Sequence, residues 1–450
     1  MRRSAMSETR GCTRPLLRVL SVTLGAAVAL VGLHATSLWA QHIAPDHSIQ
    51  FYQRLLQRQP RDATTYYRLG DAYIQKARET GDITYLALAE QALRTCLEIA
   101  PDHSGAARHL AYVLYSRHAF EEAAAQATQA VALNPLDSHA YGILGDAYLE
   151  LGRYEPAREA YQRMLQLQGD LYSHSRSAGL KSLQGDPQGA IADLERAIQS
   201  GQAEGRPPES IAWALWQLGN EHSALGQLSA AEAQYRAALG TLPQYYRALA
   251  GLAQVRAAQQ RYAEAIELYQ QALAIIPLPD YAAALGDVYT KAGQPEAARK
   301  HYDLVEYIGY LSTLNQALYN RELAYFYADH DLKLPEALDL ARRELEVRQD
   351  IYAYDVLAWA LYKNDRPQEA LSAMTQALQL GTQDARLFFH AGMIHHRLGN
   401  AAKAREFLQR ALTVNPHFHV LHTSVAERTL REIAGQEGGV VEREKNDDRR

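Results

Sequence analysis

A frame of small and aromatic residues returns along this 450-residue chain at spacings of mostly 33 or 34. It reads Leu144-Gly145-x-x-Tyr148, then Ala157-x-x-x-Tyr161-x-x-Met164. It returns as Leu218-Gly219-x-x-His222 with Ala231, Tyr235, Ala238 and Pro243, and as Leu252-Ala253 with Ala265, Tyr269, Ala272 and Pro277. Two further copies are Leu285-Gly286-x-x-Tyr289 with Ala298 and Tyr302, and Ala391-Gly392 with Ala404, Leu408, Ala411 and Pro416. A fixed period of this length means stacked copies of one supersecondary unit, each too small to bury a core alone. The residues predict helix pairs and no strands.

Ten units fit the chain, starting near Ala63, Ser104, Ser138, Leu171, Ala212, Tyr246, Pro279, Ala317, Ile351 and Ala385. The first carries an insertion near Arg78–Thr84. The small residue in the eighth place of each unit marks where the two helices touch, and the Ala in the twentieth place is expected to face it. Large residues such as Tyr148 and Tyr161 fill the space between small contacts. Gly152 suits a left-handed helix cap, and Pro156 suits a first turn, where no donor is lost. Cys96 and Met164 take the twenty-seventh place, normally Ala, and read as buried core residues rather than reactive groups.

These residues resemble the tetratricopeptide repeat, over about residues 62–418. The resemblance implies an all-α, right-handed superhelical solenoid of about ten helix–turn–helix repeats. The organisation expected is a leader over 1–40, a cap helix and units one to four over 43–202, and a hinge at 203–209. Units five to ten and a capping helix then fill 210–433, followed by a disordered tail over 434–450. The cap helix is placed at His47–Arg58 and the last helix near Ser424–Ile433. The C-terminal third, with Asp350-Ile351-Tyr352-Ala353-Tyr354-Asp355 and His390-Ala391-Gly392-Met393-Ile394, is similar to exported bacterial tetratricopeptide proteins of unsettled activity.

Arg2, Arg3, Arg10, Arg14 and Arg18 precede the uncharged stretch Val19–Leu33, and Ala40 stands at a suitable cut site. That is the pattern of a secretory signal, with an uncleaved membrane anchor as the alternative. The expected location is therefore periplasmic or extracellular, or the membrane if the leader is kept. The whole chain carries 46 basic and 51 acidic residues without a basic block, which argues against nucleic acid as a ligand. Two cysteines, Cys12 and Cys96, exclude a disulfide framework or a cysteine-rich metal module.

No phosphate loop, G-x-S-x-G turn or H-E-x-x-H pair appears, and no block is left over for a catalytic domain. The reading is a non-enzyme without cofactor. Of seventeen histidines, six lie between residues 390 and 422. His417-x-His419-x-x-His422 is the candidate metal triplet. No carboxylate or Cys completes its spacing, so the reading assigns no metal.

In the family that the frame resembles, the second, fifth, ninth and twelfth places of each unit line the concave face. Those places imply a groove of Tyr67, Arg108, Tyr112, Tyr115, Trp213, Trp216, Asn220, Arg247, Arg321, Tyr325, Tyr352, Asp355, Trp359, Tyr362, Arg386 and Phe389. Tyr, Trp and Arg together make binding hot spots. The Lys/Arg–Asn clamp that holds chaperone C-termini is absent, because Trp216 stands in front of Asn220. The function expected is an exported scaffold or adaptor that holds a protein or peptide in this groove, in envelope assembly or secretion. Its other partners would be membrane-associated machinery. The alternatives are a metal-binding envelope protein using the C-terminal histidines, and a subunit of a polysaccharide or protein export machine.

Overall fold

The structure is a computed structural model that describes residues 45–314 and 320–447. The leader, Cys12 and Ala317 lie outside the described residues. Among the described residues every element is a helix and no strand occurs. None of these helices is long and apolar enough to cross a membrane. The chain divides into two compact units, one ending at Ile99 and one spanning Ala100–Arg450.

The smaller unit holds the helices Pro45–Arg58, Ala63–Thr80 and Thr84–Ile99. The insertion after the first repeat helix lengthens that helix, and Gly81 closes it in the left-handed region at φ 72°. Cys96 is fully buried there, and burial pushes its thiol up to about 11, which makes it an inert core residue.

In the larger unit the helix pairs follow the repeat frame. The first helices begin at Ser104, Ser138, Leu171, Pro208, Tyr246, Pro279, Asn320, Ile351 and Ala385. With Ala63, eight of the ten expected starts are met to the residue. The fifth starts at Pro208 rather than Ala212, because Pro207-Pro208 supplies a ready first turn. Asp137, Asp170, Asp350 and Asp384 sit just before four of these starts and accept the first free backbone N–H groups.

Inside a unit the eighth-place Gly lies closest to the large residue of the twenty-fourth place. A Cβ on Gly219 would lie 2.5 Å from Cε1 of Tyr235, so the eighth place must be small to admit the ring in the twenty-fourth. The Tyr235 hydroxyl then donates to Oδ1 of Asn220 at 2.8 Å. Tyr161 donates to Asp146 and Tyr302 to Asp287 at the same 2.8 Å and the same separation of 15 residues. The hydroxyl is why these core places hold Tyr rather than Phe.

The stretch 203–209 is not a break in the array. The core continues across it through Leu171, Ala197 and Ala214, and Arg206 is tied to the buried carboxylate of Asp170 at 3.0 Å. The division falls at Ile99 instead. The last helix runs His422–Asp447, beyond the expected end at Ile433 and through the tail expected to be disordered. No proline interrupts that stretch, and Glu and Lys are good helix formers.

Within Ala100–Arg450 the array returns on itself after six units. The Gln349 backbone N–H donates to the Glu150 carbonyl at 2.7 Å. Thr382 Oγ1 donates to the Ser182 carbonyl at 3.4 Å, and Asn415 Nδ2 to the Ser223 carbonyl at 2.9 Å, across 200 and 192 residues. Each joint links the turn inside one unit to a loop between units one coil later.

Candidate functional site

The first helices of the repeats present the groove residues, and the structure sorts them into three groups. Trp359, Phe389, Asp355, Tyr325 and Tyr362 are buried, with Asp355 fully so and Trp359 only 2 % exposed. These five are corrected from groove surface to core. Trp359 stacks on His390 at 4.1 Å and on Tyr362 at 4.9 Å. Phe389 stacks on His422 at 5.0 Å. The capping helix and its preceding loop cover the face that the repeat frame left open.

A second group is half-buried and already paired. Arg108 meets Asp137 at 3.1 Å, and Arg321 meets Asp350 at 3.3 Å and Glu344 at 3.1 Å. In both cases the fifth-place Arg ties its unit to the Asp that caps the next one. Tyr115 donates to Glu150 at 3.2 Å, and Asn220 accepts from Tyr235. Tyr352 packs against the C-terminal core, Tyr112 against Ala111 and Ile143, and Tyr67 is half-buried in the smaller unit.

The third group is half-exposed and makes no direct ion pair, although Asp355 and Asp384 feel the charge of Arg386 and Asp280 that of Arg247. Arg247 lies over the rings of Trp216 at 5.0 Å and Tyr246 at 5.2 Å, with Trp213 on the same helix as Trp216. Arg386 lies over Tyr325 at 4.4 Å. Among the described residues neither guanidinium has a carboxylate within ion-pair distance. An Arg held flat against aromatic rings keeps its outward N–H fork for a planar acceptor.

The histidines gather differently from the sequence expectation. His417 is exposed on the wall of a cavity of about 460 Å³ and stands apart from the other two. His419 and His422 stack at 4.2 Å, and Asp329, from a helix ninety residues earlier, joins them. Asp329 Oδ1 accepts from the Trp359 indole at 2.7 Å. Beside them Asp287 accepts from Tyr302 at 2.8 Å and from His330 at 2.7 Å. Both His330 nitrogens face oxygen acceptors, Asp287 and the Phe326 carbonyl. Burial lowers the His330 pKa, Asp287 more than offsets this, and the ring ends above its usual range. His422 goes the other way: burial, then the His419 ring, holds it well below the usual range. Burial likewise lowers His419. A separate buried pair forms between His390 Nδ1 and Asp355 at 2.9 Å. Burial raises the Asp355 carboxyl, but His390, Arg386 and the Tyr325 hydroxyl leave it below its ordinary value.

Comparison with known proteins bears on this arrangement. The tetratricopeptide repeat family profile matches residues 108–171, 216–278 and 356–417, within the helix pairs described above. The chain is a tetratricopeptide-repeat protein. A curated relative, human "Protein O-mannosyl-transferase TMTC1", is 27% identical over 233 residues, covering 49% of this chain and 26% of the relative. This tetratricopeptide-repeat chain thus spans about a quarter of that relative's length. Among solved structures, the human IFIT1 dimer with PPP-AAAA gives a TM-score of 0.48 at 17% identity, covering 71% of this chain and 73% of that one. Yeast Tom70 gives 0.38 at 12% identity, covering 92% and 96%. PilF of Pseudomonas aeruginosa gives 0.38 at 16%, covering 44% and 88%.

Sequence reasoning missed Asp329, Asp287 and His330 as neighbours of the histidine cluster. No local signal marks them, since they come from other units of this tetratricopeptide array. It also missed the Asp caps and the Tyr–Asp/Asn pairs, which a search for acidic residues before each unit and for a fixed 15-residue offset would have found.

Proposed function

We propose that this protein is a binding scaffold that holds an acidic peptide segment of a partner protein in its repeat groove. The observation that carries this is Arg247. It is desolvated, lies over Trp216 and Tyr246, and is outside ion-pair distance of any carboxylate among the described residues, with Asp280 feeling its charge only through space, whereas Arg108, Arg176 and Arg321 each contact one directly. A half-buried cation without a direct ion-pair partner is suited to an external carboxylate, and the flanking rings supply rigid apolar contact. The reading is that of a binder and not a catalyst. From Ala63 onward the described helices are repeat pairs and one closing helix. The leader pattern in the sequence favours work outside the cytoplasm, in envelope assembly or secretion.

The test compares wild type with an Arg247→Gln/Trp216→Ala double variant of equal helicity in a cross-linked pull-down from the native envelope. A partner captured by wild type and lost by the variant, then bound again through an acidic peptide of that partner, supports the reading. Equal capture by both proteins overturns the groove assignment.

A further inference from the structure

Helix Asn320–Asp329 ends on Asp329, and helix His422–Asp447 begins on His422, with His419 in the loop before it. One ligand atom from each of these residues lies within 4.8 Å of the other two. His422 Nε2 stands 3.7 Å from Asp329 Oδ1, and His419 Nε2 stands 3.9 Å from Asp287 Oδ2. Both gaps exceed a hydrogen bond. Ligand atoms at opposite corners of a tetrahedral ion with bonds of about 2.0 Å stand about 3.3 Å apart, so a small inward movement of each group would bring them onto an ion.

The His422 ring is buried beside the same cluster, and no hydrogen bond at Nδ1 fixes its tautomer. His422 is 6 % exposed, and its Nδ1 is buried without a hydrogen-bond partner. Buried polar groups without partners are rare, and each calls for an explanation. The ring is held by stacking on His419 and Phe389 rather than by hydrogen bonds. The carboxylate is positioned by the Trp359 indole, which is the outer support expected of a metal-ligating carboxylate. His419 also lines the cavity of about 460 Å³, together with Asp287, Tyr262 and Gln254, so an ion has a route from solvent.

We infer that Asp329, His419 and His422 form a site for a divalent transition-metal cation of the zinc class. Two imidazoles and one carboxylate are the donor set such an ion takes when it keeps a further position for water. His419 Nδ1 accepts from the Leu421 and His422 backbone N–H groups at 3.2 and 3.4 Å. Those bonds keep the metal-free ring's proton on Nε2. Coordination there moves that proton to Nδ1 and gives up two long bonds. His330 is no ligand, because both its nitrogens donate to oxygen. The site differs from the sequence triplet by replacing His417 with Asp329.

The experiment titrates chelator-stripped full-length protein with Zn²⁺ by calorimetry and with Co²⁺ by visible absorption. One equivalent of each is expected to bind, with a d–d spectrum of a four- or five-coordinate site. Asp329→Asn keeps an oxygen for the Trp359 indole and should weaken Zn²⁺ binding by at least about 10-fold. His422→Gln should do the same, and His417→Ala should bind as wild type does. No saturable binding by wild type overturns the site. So does unchanged affinity in the Asp329→Asn protein with helicity retained, or loss of binding on His417→Ala alone. The groove reading rests on other residues and stands or falls separately.

Discussion

The backbone N–H of Gln349 donates to the carbonyl of Glu150 at 2.7 Å, joining the loop before the ninth repeat to the end of the first helix of the third. Arg348 reinforces the joint. Its Nε lies 2.8 Å from Glu150 Oε2, in a misaligned ion pair, and its guanidinium lies over Phe120 at 5.2 Å. Gly152 makes the approach feasible. It has φ 67°, and a Cβ there would come within 2.4 Å of the Gln349 carbonyl oxygen. Gly152→Ala should therefore cost about 1–3 kcal/mol, since a side chain meets both a left-handed backbone and a facing carbonyl. Gly293 has φ 73° and nothing within 4 Å, so Gly293→Ala carries the backbone cost alone. Urea denaturation of both variants should show the larger loss at Gly152. Equal losses would mean that the joint contributes nothing.

Ala231 is fully buried beside Tyr235. Ala231→Leu should overpack that interface and lower stability by about 1–3 kcal/mol. Tyr235→Phe removes the donor to Asn220 and should cost about 1 kcal/mol. An unchanged thermal midpoint for Ala231→Leu would count against the register of the helix pairs.

Trp216 and Trp359 both take groove places in the frame, the fifth and the ninth, and should behave differently. Trp359 is 2 % exposed, packs against His390, Tyr362 and Phe389, and its indole holds Asp329. Trp359→Ala should destabilise the protein by about 3–5 kcal/mol. Trp216 is half-exposed, and its alanine variant should lose well under that amount while losing the partner. Circular dichroism melts of the two variants decide the point.

Arg256 is buried and grips Glu232 with two hydrogen bonds, at 2.7 and 2.8 Å. The Arg256 hydrogen bond, backed by its charge, lowers the Glu232 pKa from 4.5 to about 2. A depressed carboxylate adds stability that is complete above its unfolded value and is lost as pH falls through its folded one. This pair's contribution should thus be constant above pH 4.5 and fade between 4.5 and about 2. Glu232→Gln should cost about 1–3 kcal/mol at neutral pH and show a shallower acid loss in that window. Parallel acid titrations followed by ellipticity would reveal the difference, and parallel curves would refute it.

Much of the fold was legible because its determinants are local. The Leu-Gly or Leu-Ala pair, the later Ala and the Tyr four places on define one helix pair, and that pair repeats without needing its distant neighbours. Within the pair the frame did not reveal that the Tyr235 ring is what lies closest to Gly219. The site was less legible. The frame assigns both Trp216 and Trp359 to the groove, and only the packing of Tyr362, His390, Phe389 and the capping helix around Trp359 tells them apart.

The residues themselves determined that this chain would stack helix pairs, where nearly every pair would begin, and which places would be small. Periodicity carries that information because each contact lies within about one repeat of its partner. The tertiary structure alone decided that the array meets itself six units on at Glu150 and Gln349, that five groove residues are core, and that Asp329 reaches His419 and His422. These depend on the rotation accumulated from unit to unit. That sum is set by every interface together, and no local pattern records it.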